Sequence, residues 1–156
     1  MLRCYELIRF ADIQAVLASL PQIKFVAANI GSTDPAKSPC SVNMPGRPLP
    51  KAVTDLVAGL GLGGHTKRLL LRKLAPRQGM APHVDKWMPA EDDWRRFQLP
   101  LVTDPSVRMR WPDDDQEVHL AAGGLYEVNF GRLHEVVNGW DGERIHLQID
   151  QVDATI

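Results

Sequence analysis

Residues 133–152 read LHEVVNGWDGERIHLQIDQV, and this stretch decides the fold class. Within it Ile145, Leu147 and Ile149 alternate with polar residues, which is the period of a β-strand with one apolar face. A second short apolar run, Leu133–Asn138, precedes this strand, and the segment between the two is rich in glycine. The pattern predicts two strands joined in a hairpin around Asn138–Gly142.

Six further runs of the same kind lie between residues 66 and 130. All are short, rich in apolar residues and separated by Gly, Pro or Asp turn signals. The eight predicted strands are Thr66–Leu74, Gly79–Trp87, Arg96–Thr103, Val107–Trp111, Glu117–Leu120, Leu125–Phe130, Leu133–Asn138 and Arg144–Val152. Short strands in succession, with no helix between them, favour a closed or double-layered antiparallel sheet over a βαβ fold.

The first 64 residues show a different sequence pattern, with helical spacing and a loop-like composition in place of short β-runs. Apolar residues at helical spacing predict a helix from Asp12, a candidate N-cap, to Leu20, where Pro21 ends it. Residues 29–50 are rich in Gly, Ser, Pro and Asn and are interpreted as a loop, after which Pro50 opens a second helix. We expect both helices to pack against the outside of one sheet. The chain is interpreted as a single domain with a helix-and-loop support, residues 1–64, and a β core, residues 65–156.

Residues 59–64 read GLGLGG, which invites interpretation as a phosphate-binding loop. A dinucleotide fingerprint follows a strand and opens a helix, because the helix N-terminus binds the pyrophosphate. Here a predicted helix precedes the glycines and a predicted strand follows them. The run is therefore interpreted as a helix C-terminus and a link, and a nucleotide site is rejected.

The composition argues against several classes of function. The 156 residues suit one domain, and a net charge of −1 lacks the basic excess of a nucleic-acid-binding protein. Charges interrupt the N-terminal apolar run, and no stretch is long enough to span a bilayer. The two cysteines, Cys4 and Cys40, are expected to be free thiols in a reducing cytosol. We therefore expect a cytoplasmic protein with no membrane or nucleic-acid partner, and the oligomeric state stays undecided.

Pro82-His83-Val84-Asp85 places an imidazole and a carboxylate two residues apart. On an extended segment these side chains share a face, so both can reach one metal ion. His134 lies on a separate predicted strand and could complete the set. Two imidazoles and one carboxylate leave three positions of an octahedron open, which suits iron(II), while zinc would accept the same ligands. A surface ion pair is the ordinary alternative for so short a motif.

Arg144 opens the last predicted strand, ten residues after His134. Arg144, His146 and Gln148 share the polar face of that strand, and the predicted hairpin would bring Arg144 close to the metal ligand. An arginine fork is the usual binder of a carboxylate. A metal ion beside a buried arginine is what a dicarboxylate cosubstrate needs, because one end chelates and the other pairs.

Leu70 to Asp150 resembles the aspartyl/asparaginyl β-hydroxylase family of iron(II) and 2-oxoglutarate dioxygenases, which includes free-proline hydroxylases. The matching segments follow the family's order and approximate spacing. They are Leu71–Pro76, Pro82–Asp85, Arg96–Thr103, Gly123–Phe130, His134–Asn138 and Arg144–Asp150. The resemblance implies a double-stranded β-helix (a jelly roll, cupin-like) and a hydroxylase that uses O₂ and 2-oxoglutarate and releases succinate and CO₂.

By position, the resemblance implies a role for each site residue. His83, Asp85 and His134 match the iron ligands and thus the catalytic centre. Arg144 matches the arginine that pairs with the distal carboxylate of 2-oxoglutarate, and Arg96 an arginine near its chelating end. Two further residues are assigned to the cosubstrate, namely Gln98, which stands where the family often has histidine, and Arg72. For Arg72 the alternative is a strand residue whose charge reaches solvent.

The substrate is left open by the sequence. The loop 86–94 is interpreted as a lid whose acidic residues would bind an amino group, or alternatively as a plain solvated turn. Trp87, Trp94 and Asn138 are predicted substrate contacts. We expect a free, derivatised or peptidyl amino acid of Asp/Asn-like character. The alternatives are a zinc-dependent enzyme on the same barrel and a non-catalytic cupin-type binding module.

Overall fold

The computed structural model describes residues 3–28, 40–85 and 93–153. Within these ranges the chain forms two short α-helices and eleven β-strands. The helices are α1 (Gln14–Ser19) and α2 (Lys51–Gly59). The strands are β1 (Tyr5–Phe10), β2 (Phe25–Ala27), β3 (Cys40–Asn43), β4 (His65–Leu74), β5 (Met80–His83), β6 (Trp94–Val102), β7 (Val107–Trp111), β8 (Gln116–Val118), β9 (Gly124–Val128), β10 (His134–Asn138) and β11 (Arg144–Val152).

The strands form two antiparallel sheets. The larger sheet has the order β1-β9-β6-β11-β4-β3-β2, and the smaller has the order β5-β10-β7-β8. Side chains of both sheets line a common pocket, so the two sheets face each other across it. The chain therefore has the expected mainly-β fold, a double-stranded β-helix of the jelly-roll type.

The central strand β11 shows why the two sheets lie as they do. Its apolar residues Ile145, Leu147 and Ile149 belong to the main hydrophobic core, into which α1 contributes Val16 and α2 contributes Val53. The helices thus cover the outer face of the larger sheet, as expected from the sequence. The polar residues of β11 alternate with these and lie on the opposite face, towards the smaller sheet.

The helix boundaries differ slightly from those predicted. The Asp12 carboxylate accepts a hydrogen bond from Gln14 N at 3.0 Å, although Ile13 occupies the N-cap position. After Ser19 a 3₁₀ turn, Leu20–Gln22, contains Pro21. Residues 59–64 join the end of α2 to the start of β4, which confirms the interpretation of this run as a helix C-terminus and a link.

Three strands were missed in the N-terminal part. β1 is mostly exposed, so its residues show no clear alternation, and β2 and β3 are only three and four residues long. The loop interpretation of residues 29–50 was wrong for β3, and residues 29–39 lie outside the described residues. β3 is held by pairing with β4 and by Asn43, whose Oδ1 accepts a hydrogen bond from Leu71 N at 2.9 Å.

The predicted hairpin around Asn138–Gly142 was also wrong. β10 pairs with β5 and β7 in the smaller sheet, whereas β11 pairs with β4 and β6 in the larger one. The connection therefore crosses between sheets, because each strand finds partners that are distant in sequence. This crossing is what places His134 and Arg144 on opposite walls of one pocket.

A second, smaller apolar cluster includes Cys4 and Trp111. Cys4 and Cys40 are both buried free thiols, as expected, and burial with the neighbouring Asp114 raises the pKa of Cys4 to about 11. Among the described residues, no helix is long and apolar enough to cross a bilayer.

Candidate metal centre and anion pocket

Two strands of the smaller sheet bring the predicted metal ligands together. His83 ends β5 and pairs directly with His134, the first residue of β10, while Asp85 follows two residues after His83. Asp85 oxygens lie 3.7 Å from His83 Nε2 and 4.0 Å from His134 Nε2. The ligand atoms of all three residues lie within 4.8 Å of one another. The sequence thus predicted a cluster that the fold assembles.

The imidazole rings are oriented by backbone carbonyls. Nδ1 of His83 donates a hydrogen bond to the Ala81 carbonyl, and Nδ1 of His134 donates to the Arg132 carbonyl, each at 2.7 Å. A carbonyl can only accept, so Nδ1 carries the proton and Nε2 keeps its lone pair on the side of Asp85. The pKa of His134 is lowered, mainly by burial. The lower pKa favours the neutral imidazole that a metal needs.

The donor set fits a divalent metal ion. Two neutral imidazole nitrogens and one carboxylate converge from two adjacent segments, and the open side of the cluster faces the pocket. Such a set leaves coordination positions free, as iron(II) oxygenases require, and zinc would accept the same ligands. The site is therefore suited to metal-assisted chemistry on a bound ligand.

Arg96 joins the metal ligands to the larger sheet. Its guanidinium donates through one terminal nitrogen to Asp85 Oδ2, and through Nε and the other terminal nitrogen to Asp150, at 2.7 and 3.1 Å. Asp150 is completely buried, as is most of Arg96. Arg96 lines the pocket, but these bonds make it a positioning residue for Asp85, and its contact with a cosubstrate stays a prediction.

A row of hydrogen-bonded polar side chains continues from Asp150 along the sheet. Gln148 Nε2 donates to Asp150 at 2.9 Å, Gln98 Nε2 donates to Gln148 at 3.4 Å, and His146 Nδ1 lies 3.2 Å from Gln98 Oε1. Gln98 uses its Nε2 as a donor to Gln148, so its Oε1 is the acceptor that faces His146. His146 must therefore carry its proton on Nδ1. Asp150 was missed as a site residue, although strand alternation already places it on the same face as Arg144.

Arg144 and Arg72 are buried cations without a carboxylate partner among the described residues. Their side chains lie on the pocket face of neighbouring strands, with exposures of 4% and 6%, and Nε of each has no hydrogen-bond partner. Burial lowers the pKa of Arg144 to about 10, with the charge of Arg72 as a further cause. The alternative that Arg72 reaches solvent is therefore wrong. Uncompensated buried charge is costly, so an anionic ligand would stabilise these groups.

The pocket that contains these groups has a mixed wall. Its polar lining includes the metal cluster and the guanidinium groups, together with Gln98, Thr103, His146 and Gln148. The apolar lining is contributed by Met80, Val107, Met109, Leu120, Phe130 and Val136. Polar groups in such a wall can fix the orientation of a bound ligand.

The predicted substrate contacts fare less well. Asn138 does not line the pocket, because its amide donates to the carbonyls of Ala75 and Gln78 and accepts from Trp140 N. These bonds tie loops together, and a contact of Asn138 with substrate stays a prediction. Trp94 lines a different cleft, which meets the pocket only at Phe130. Trp87 and loop residues 86–92 lie outside the described residues.

Solved structures share this architecture. A prolyl-4-hydroxylase from Pseudomonas putida matches over 98% of this chain and 94% of its own, with 18% identity and a TM-score of 0.60. The chain shares its fold with this hydroxylase. An oxidoreductase of the 2-oxoglutarate/iron(II) oxygenase family from Burkholderia pseudomallei covers 89% of this chain and 78% of its own, at 13% identity and a TM-score of 0.62.

A collagen prolyl hydroxylase from Paramecium bursaria Chlorella virus-1, solved with 2-oxoglutarate, covers 97% of both chains at 11% identity and a TM-score of 0.61. No protein-family model matches the chain, and no curated protein matches it significantly. These three matches show a shared fold, and none of the three is described as an aspartyl/asparaginyl hydroxylase.

Proposed function

We propose that the chain is an iron(II)- and 2-oxoglutarate-dependent dioxygenase that hydroxylates an amino-acid side chain. The observation that carries the proposal is one pocket with two unlike ends. A His-Asp-His cluster with free Nε2 lone pairs lies in it together with a buried arginine that has no carboxylate partner in the described part of the chain. A dicarboxylate keto acid complements both ends.

In this proposal His83, Asp85 and His134 hold the iron, which supplies the redox chemistry that couples decarboxylation of 2-oxoglutarate to hydroxylation. Arg96 fixes the Asp85 carboxylate through its bonds to Asp85 and Asp150, so the ligand keeps its position when the pocket fills. The Ala81 and Arg132 carbonyls do the same for the imidazoles.

Arg144 binds the distal carboxylate of the cosubstrate. Its guanidinium is planar and buried, and a bidentate pair with a carboxylate would satisfy the Nε that now has no partner. Gln98 lines the same wall, and its amide is already bonded to Gln148 and His146. We propose that it shapes this end of the pocket.

The substrate is proposed to be a small molecule or peptide segment with an Asp/Asn-like side chain, as the resemblance of residues 70–150 implies. Two of the structural relatives are prolyl hydroxylases, so a prolyl substrate is the second candidate. The pocket's apolar wall of Met80, Met109 and Val136 would contact the carbon skeleton of either.

The test uses protein loaded anaerobically with iron(II). Addition of 2-oxoglutarate should produce a weak visible charge-transfer band, and admission of air with a panel of amino acids and short peptides should give substrate-dependent succinate. His83→Ala should abolish both signals. His119→Ala provides the matched control, because His119 lies outside the pocket lining and bonds to the Val107 carbonyl.

The same measurements separate the alternatives. A zinc enzyme would retain zinc and release no succinate, and a non-catalytic cupin module would bind ligand without consuming O₂. Absence of both the visible band and succinate in metal-loaded protein would refute the dioxygenase proposal.

A further inference from the structure

The guanidinium groups of the pocket are not all paired. Its lining contains those of Arg72, Arg96, Arg108 and Arg144, and the carboxylate of Asp85. Arg96 bonds Asp85 and Asp150, and Arg108 bonds Glu117, which Arg110 shares. In the described residues, Arg72 and Arg144 are the lining arginines that have no carboxylate partner, and Nε of each lacks a hydrogen-bond partner.

The cosubstrate can pair with one of these two groups in the proposed arrangement. Its keto-acid end would be used by the metal, so its distal carboxylate is the end left for a guanidinium. The other guanidinium then stays buried without a carboxylate partner among the described residues, and an anionic group of a further ligand would stabilise it.

Arg72 is the group left over if Arg144 takes the distal carboxylate of the cosubstrate. Arg72 lies opposite His146 on the neighbouring strand, with its side chain on the pocket face. Burial lowers the pKa of Arg72, and the charges of Arg96 and Asp85 also act on it, so Arg72 lies within electrostatic reach of the candidate metal centre.

We infer that Arg72 is the anchor for a carboxylate of the substrate. This rests on the proposed function, because it assigns Arg144 to the cosubstrate. The carboxylate pairs with the buried guanidinium of Arg72, and the apolar wall receives the rest of the molecule. Arg72 is thereby a specificity residue, distinct from the cosubstrate site.

Binding of matched acids and amides tests the inference without turnover. Protein loaded with manganese(II) and saturating 2-oxoglutarate is titrated with the common amino acids, their N-acetyl derivatives and the carboxamide of each, using calorimetry. At least one acid should bind, and its carboxamide should bind about 30-fold more weakly or worse, because loss of a buried charge pair carries a penalty of that order.

Variants of β4 assign the effect to Arg72. Arg72→Gln should reduce the affinity for the acid to that for the amide while leaving 2-oxoglutarate affinity within about threefold. Arg72→Lys should recover part of the preference for acids, which also shows that the strand folds. Lys73→Gln is the matched control, since Lys73 is the next residue, points to the other face and pairs with Glu143.

Three results would overturn the inference. Equal binding of acids and amides, or no binding by any acid, would remove the carboxylate-bearing substrate. An equal loss of 2-oxoglutarate binding in Arg72→Gln and Arg144→Met would make Arg72 part of the cosubstrate site, with the proposed function intact. Wild-type protein that binds neither manganese(II) nor 2-oxoglutarate would remove both proposals.

Discussion

The two faces of strand β11 are buried to a similar degree and for opposite reasons. On the helix side Ile145, Leu147 and Ile149 pack into a continuous apolar core. On the pocket side, Arg144, His146, Gln148 and Asp150 are equally removed from solvent. The first face is complete as the chain folds, whereas the second keeps polar atoms without partners at Arg144 Nε and His146 Nε2. Burial of the apolar face stabilises the fold, whereas the buried polar atoms of the other face are available to bind a ligand.

The largest expected effect is loss of the metal site in His134→Ala. The variant removes one of three ligands from a buried cluster and should abolish stoichiometric binding of iron(II) or manganese(II). Isothermal titration of the metal into His134→Ala measures this loss, and the same titration into His119→Ala is the control. Unchanged stoichiometry in His134→Ala would show that the cluster is not the metal site.

The next effect concerns the unpaired charge of the pocket face. Arg144→Met should raise the dissociation constant of 2-oxoglutarate at least ~100-fold, since removing one partner of a buried charge pair costs about 2–5 kcal/mol. The same variant should make the ligand-free protein as stable as the wild type or more so, because it removes a buried charge without a counter-ion. Normal 2-oxoglutarate binding in this variant would show that Arg144 does not pair with the cosubstrate.

Truncation of a side chain on the apolar face of β11 should lower the stability of the ligand-free protein, unlike Arg144→Met. Leu147→Ala removes a fully buried side chain from the main core and should lower the free energy of unfolding by about 2–5 kcal/mol. Urea unfolding of the ligand-free protein measures it, with Arg144→Met measured in parallel. If both variants lost stability equally, the two faces would not differ in the way described above.

A smaller effect is expected at Asp150. Asp150→Asn keeps the shape of the side chain but removes the charge that holds the Arg96 guanidinium, and through it Asp85. The metal dissociation constant should rise about 10–100-fold, as for other outer-shell partners of metal ligands. The cobalt(II) absorption spectrum should change shape as well, which a purely global loss of stability would not produce. An unchanged affinity and spectrum would separate Asp150 from the metal centre.

The smallest effect is the pH dependence contributed by His146. Burial, and then the charge of Arg144, lower the pKa of His146 well below its usual 6.5. The unfolded chain therefore binds a proton at His146 more readily than the folded protein does. As a result, the free energy of unfolding falls as the pH drops below about 6.5. His146→Gln should remove up to about 1.4 kcal/mol per pH unit of this slope, measured by urea unfolding of metal-free protein between pH 7 and 5. An unaltered slope would indicate that His146 is protonated in the folded state.

Much of the site could be predicted because its chemistry is local. His83 and Asp85 are two residues apart on an extended segment, so strand geometry alone puts them on one face. The alternation after Arg144 likewise marked a polar face on β11. Asp150, on that same face, was overlooked because the role of a buried carboxylate depends on its partner. That partner, Arg96, lies 54 residues away along the chain.

The sequence by itself determined the β-rich class, the two helices, the residue types of the candidate metal centre and the arginine available for a carboxylate. These follow from periods and chemical identities that each segment carries alone. The tertiary structure decided which strands are neighbours. It sent β10 and β11 to different sheets, added β1, β2 and β3 to the larger one, and buried Arg72 and Arg144 without carboxylate partners among the described residues. The physical reason is that strand pairing and burial depend on contacts between residues far apart in sequence, which no local pattern specifies.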